Sequence, residues 1–160
     1  MRKQVVFTVG NSLRGDDGAG SLLAELLQAE PAPDWVVIDG GSAPENLVHA
    51  VRAELPERVL LLDAAQMQLE PGAVRRIDEA DIARQFLFTT HVIPLNLLIA
   101  SLRETVPRVT FVGIQPAHVA FFDEMTPAVR NAIARLHRSL VEGDDPEDWP
   151  LLSAGLDRTI

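Results

Sequence analysis

The chain has 160 residues, 47% of them hydrophobic, with a formal net charge of −9, no cysteine and a single lysine, Lys3. That length and apolar content describe one domain with a real core and exclude disorder. The charge disfavours nucleic acid as a partner. Without cysteine there is no disulfide, thiolate metal site or cysteine nucleophile, so any metal must be held by His, Asp or Glu.

In chain order, Gln4 to Val9 is a short β-branched apolar run and reads as a buried first strand. The loop Gly15-Asp16-Asp17-Gly18 follows, then a helix over 19–29 with leucines at 22, 23, 26 and 27. Trp35 to Ile38 is a second strand, closed by Asp39-Gly40-Gly41. Ser42 and Glu45 have capping-box spacing ahead of a helix from Pro44 to about 55. Arg58 to Leu62 is a third buried strand that ends at Asp63. Ala73 to Ile77 is more polar and suits a sheet edge.

Asp78 is placed to cap a helix over 79–87, and Thr89-Thr90-His91 form a loop. Pro94 sits near the start of the next helix, which runs to about 104. Val109 to Ile114 is the last strand, leading into Gln115-Pro116. Thr126-Pro127 supplies a cap and a first-turn proline for a helix to about 142. The expected organisation is one domain over 1–142 and a loose tail over 143–160, rich in Pro, Gly and Asp. Strands alternating with helices predict an α/β fold, mainly parallel, with helices on both sheet faces. No apolar run is long enough to cross a bilayer, and a secretory leader pattern is missing. A cytoplasmic protein with no membrane partner is the expectation.

The chemistry concentrates at strand ends. Asp16-Asp17 follows the first strand and Asp63 ends the third, where open α/β sheets bind ligands. With His91 they offer carboxylates and an imidazole, a donor set for a divalent transition metal with positions left open. Adjacent carboxylates repel unless a cation or hydrogen bonds compensate. One of Asp16 and Asp17 is therefore read as functional and the other as the cap of the following helix. His118 is the reserve imidazole, while His49 and His137 fall on predicted helices, on faces read as exposed. The Asp39-Gly40-Gly41 turn is read as backbone open to pairing with an extended peptide. Gln115 is read as a partner for substrate or for loop backbone. No dinucleotide fingerprint, phosphate-loop lysine, nucleophile elbow or zinc helix motif is present.

These motifs, in this order, resemble the maturation endopeptidases of nickel–iron hydrogenases, most closely the branch serving the formate-hydrogenlyase hydrogenase. The resemblance is carried by Gly10-Asn11-Ser12, Gly15-Asp16-Asp17-Gly18-Ala19-Gly20, the run from Val36 to Asn46, and Leu62-Asp63-Ala64. It continues through Thr89-Thr90-His91, Pro94-Leu95-Asn96 and Gly113-Ile114-Gln115-Pro116. It implies a three-layer α/β/α sandwich with a twisted, mostly parallel sheet, and an aspartic-type peptidase by classification. It further implies a hydrogenase large-subunit precursor as partner and removal of its C-terminal extension after nickel insertion. The nickel would be supplied by the substrate, with no organic cofactor. Asp17, Asp63 and His91 would be the metal-contacting residues, Asp17 and Asp63 the catalytic carboxylates, and Asp16 a structural neighbour. Asp39, Gly40, Gly41 and Gln115 are the candidate substrate contacts, and a monomer is the expected state.

Other readings stay open on the residues alone. A phosphoacceptor receiver domain shares the acidic pair and the strand-end aspartate, but this chain has Gln115 where a lysine is required. A nickel-binding chaperone would use the same ligands without hydrolysis. A metallohydrolase acting on small molecules would also fit.

Overall fold

The computed structural model describes residues 3–78, 80–81 and 95–152. A five-stranded sheet forms the centre. Its strands are β1 (Gln4–Thr8), β2 (Trp35–Asp39), β3 (Arg58–Ala64), β4 (Val74–Ile77) and β5 (Arg108–Ile114), in spatial order β2-β1-β3-β5-β4. All pairings are parallel except β4 with β5. β4 is thus an antiparallel edge strand, in keeping with its polar sequence.

Side-chain alternation along the strands divides the core in two. Val5, Phe7, Val59 and Leu61 face one layer, with α2 (Val48–Ala53) and α3 (Leu95–Arg103) packed over them through Val48, Val51, Leu98 and Leu102. Val6, Leu60, Leu62 and Val112 face the other, beneath α1 (Ala19–Ala29) and α4 (Pro127–Val141). The molecule is an α/β/α sandwich, and β3 at its centre is buried at every position. Full burial of side chains such as Leu60, Leu61 and Leu62 stabilises by about 2 kcal/mol each, an upper estimate against an extended chain.

Several local expectations change. The Ser42–Glu45 capping box does not form: residue 43 is the cap, without a side-chain bond, and a 3₁₀ turn over Pro44–Leu47 precedes a short α2. Thr126 does occupy the cap position of α4 with Pro127 after it, but its hydroxyl turns elsewhere. Asp78 accepts the N–H of Asp81, as a helix cap should, while the rest of the predicted 79–87 helix, the Thr89-Thr90-His91 loop and Pro94 lie outside the described residues.

The tail expected to be loose is tied down as far as residue 152. Arg76 of β4 donates its backbone N–H to the Pro150 carbonyl, its Nε to the Trp149 carbonyl and its Nη1 to Glu147. Leu151 forms a bridge with Arg76, so the strap covers the sheet's edge strand. Arg58, its side chain only 5% exposed, reaches Asp145 at 2.7 Å. Its guanidinium also lies 5.5 Å from the Trp35 ring centre. Tail residues 153–160 lie outside the described set.

Candidate active site

The chain runs from β1 to β2 on one side and returns through β3 on the other. The strand order therefore reverses between β1 and β3. A crevice outside the C-terminal ends of two such strands is where open α/β sheets take ligands. Asp16 and Asp17 lie in the loop that leaves β1, and Asp63 lies at the end of β3. Asp17 and Asp63 are both buried. Asp63 pairs in register with Gly113 of β5.

The loop is drawn tight. Gly10 has φ +149°, and a Cβ there would collide with the Asp17 carbonyl oxygen. A Cβ on Gly20 would strike the Val9 carbonyl, so α1 starts hard against the end of β1. The Asn11 N–H donates to the Asp17 carbonyl and to Asp17 Oδ2, at 3.1 and 3.2 Å. The Asp17 N–H in turn donates to the Arg14 carbonyl at 3.1 Å.

The adjacent aspartates divide differently from the expectation that one caps α1. The cap of α1 is Gly18, and no side chain bonds there. Asp16, fully buried, instead reaches across the molecule. Its carboxylate accepts the N–H groups of Ala117, His118 and Thr126 and the Thr126 hydroxyl, at 2.7–3.2 Å. Asp16 N–H also donates to the His118 carbonyl at 2.7 Å. Asp16 thereby fastens the 117–126 loop and the start of α4 to the loop after β1. That donor set compensates the buried charge.

The proposed substrate contacts take other work. Gln115 is buried, and its carbonyl accepts from Met67 and Leu69 N–H while its amide donates to Gln66 Oε1 and the Pro116 carbonyl. All four of its bonding positions are used. Of the two kinds of partner expected for it, the structure shows loop backbone. Asp39 accepts the Gly41 N–H at 2.9 Å and faces the Thr8 hydroxyl at 3.4 Å. Gly40 N–H donates to Thr8, and the Gly41 carbonyl accepts from Gly10. Of the peptide-pairing backbone expected here, the Gly40 N–H is thus taken by β1 and the Gly41 carbonyl by the loop after it.

His91 lies outside the described residues, and among those described no three His, Cys, Asp or Glu side chains form a metal-sized group. The reserve imidazole, His118, is exposed and enters the site region only through its backbone. His137, expected on an exposed face, is buried, its Nε2 2.9 Å from the Glu30 carbonyl. The sequence pattern marked His118 and Thr126 in the 117–126 loop but not the tie of this loop to Asp16. Its available signal was the adjacent pair Phe121-Phe122 in a loop just ahead of the Thr126-Pro127 cap.

Fold and site together define an open-sheet α/β protein with buried carboxylates at its strand-order reversal. A receiver domain carries the all-parallel order 2-1-3-4-5, which the antiparallel β4 at this edge contradicts. The chain belongs to the HycI family of hydrogenase maturation proteases, whose model matches residues 21–142. It is 51% identical over 136 residues to the hydrogenase 3 maturation protease of Escherichia coli K12, covering 85% of this chain and 87% of that one. A solution structure of the endopeptidase HycI from Escherichia coli superposes with a TM-score of 0.86 at 47% identity, covering 94% of this chain and 96% of that one. A NiFe hydrogenase maturation protease HycI from Thermococcus kodakarensis gives 0.75 at 28% identity, over 88% and 90% of the two chains. The protein is accordingly a peptidase of hydrogenase maturation. Among the described residues no helix is long and apolar enough to cross a membrane.

Proposed function

We propose that this protein removes the C-terminal extension of a nickel–iron hydrogenase large-subunit precursor, in the cytoplasm, once nickel has been inserted. The precursor would be that of a formate-hydrogenlyase-type hydrogenase. The observation that carries the reading is the delivery of two buried carboxylates, Asp17 and Asp63, to the strand-order reversal between β1 and β3. These two residues, with His91, would supply a donor set suited to a substrate-borne nickel ion. Completion of the site by the substrate's own metal would keep the peptidase idle toward an uncharged precursor.

Nickel so held would supply a Lewis acid for the scissile carbonyl. Asp17, steadied by the Asn11 N–H, takes a proton from the attacking water and returns it to the leaving amine. The water oxygen becomes part of the new carboxyl group.

The test is mass spectrometry of precursor incubated with this protein, nickel-loaded beside nickel-free. Loss of a C-terminal peptide from the loaded sample alone is expected, and Asp17→Ala or Asp63→Ala should slow it at least about 100-fold. An unchanged mass in both samples, or full activity of either variant, would overturn the proposal.

A further inference from the structure

The loop before α4 exposes apolar surface beside the site. Phe121 and Phe122 are 61% and 86% exposed, and Leu13, in the loop after β1, is 58% exposed. They share one surface: the Phe122 N–H donates to the Leu13 carbonyl at 2.7 Å, and the two rings lie 6.3 Å apart. Phe122 holds this position with φ +65°, a left-handed backbone that bulky residues seldom adopt. Strain that places an aromatic ring in water points to function rather than to folding. The Asp16 carboxylate pins both ends of the loop, so the rings stand on a fixed platform.

A cation completes the surface. The Arg14 guanidinium lies 5.0 Å over the Phe121 ring, and its Nε is buried without a hydrogen-bond partner among the described residues. Among the described residues it has no carboxylate partner, in a chain of net charge −9. Arg14 is also continuous with the catalytic loop, since its carbonyl accepts the Asp17 N–H. Exposed aromatics beside an arginine are the composition of a protein-docking centre.

We propose that Leu13, Arg14, Phe121 and Phe122 are the docking surface for the hydrogenase precursor, taking an apolar segment against the rings and a carboxylate at Arg14. The inference rests on the reading of this chain as the precursor's processing peptidase. Position favours this occupant: Leu13 and Arg14 belong to the loop that carries Asp17, and Phe122 is bonded to it, so a chain held here lies beside the site.

The experiment compares full-length wild type, Phe122→Asn, Arg14→Ala and Leu55→Ser in cleavage of the nickel-loaded precursor. Light scattering and thermal melts accompany each. Leu55 is exposed just before β3, at the end of the strands opposite the carboxylates, and serves as control. Phe122→Asn and Arg14→Ala should raise KM at least about tenfold with kcat within about twofold, and Leu55→Ser should change neither. Asparagine accepts the left-handed backbone, so the Phe122→Asn melting temperature should hold or rise, whereas a purely structural ring would make it fall. Unchanged KM in both variants, with wild type active, would overturn the docking surface and leave the peptidase standing. A wild-type dimer that these substitutions split would assign the face to a second copy and overturn it too. Failure of the wild type to cleave would overturn the peptidase reading and the docking surface together.

Discussion

Asp16 and Asp17 are neighbours with the same side chain and different surroundings. Asp17 is bound within its own loop, while Asp16 is bonded to groups 101 to 110 residues away. Replacing Asp16 by Ala strands three backbone N–H donors and a hydroxyl. We expect a loss of about 2–4 kcal/mol in denaturant unfolding, with Asp16→Asn losing less because one acceptor oxygen remains. That an acidic pair after β1 mattered was legible from its flanking glycines and its place after a strand. Which aspartate does what was not, because the donors that decide it are brought in by the sheet and not by local sequence. Gln115 repeats the lesson: its partners at 66–69 follow a different strand.

At the scale of elements, the strands and helices were legible because their apolar periods of 2 and 3.6 match the two-sided core. Caps were less so. Ser42 and Glu45 have the right spacing, but the chain enters α2 through a 3₁₀ turn that leaves the box unformed. The strap after α4 was hidden for another reason. Its composition is that of a loop, and its order comes from Arg58, Arg76 and Thr110 on distant strands. Ending the chain at residue 142 removes Asp145 and Glu147 and leaves Arg58 without either carboxylate. The expected cost is on the order of 3 kcal/mol or more, read from denaturant unfolding. The uncovered β4 edge should also make the shortened protein aggregate on concentration, read by light scattering.

For the whole molecule, alternating strand and helix predicted the α/β class and its parallel sheet, while the antiparallel seating of β4 depends on pairing that no local pattern encodes. Stability against acid is likewise a property of the assembled chain. The Glu147 N–H, above all, holds the Asp145 carboxyl below its ordinary value of 3.8; partial burial opposes this, and Arg58 and Arg108 add to the lowering. A carboxyl depressed in the folded state contributes stability above its unfolded value and loses it as pH falls through the folded one. Asp145→Asn should therefore melt earlier than wild type at pH 7, by about 1 kcal/mol, because Asp145 is half exposed. The gap should close below about pH 4, which paired melts across pH 2–7 would read.

The Arg58 clasp gathers the first residues of β1, β2 and β3 with the strap, at the end of the strands opposite the carboxylates. One of the ties on the chain thus sits a full strand's length from the place where specificity is set. Substitutions that retune the rim toward a different precursor draw on a reserve that they do not themselves disturb. Lineages of such peptidases can diverge in partner choice at one end of the sheet while the other end keeps them folded, and an engineer who wished to redirect this one would do well to reinforce the clasp first.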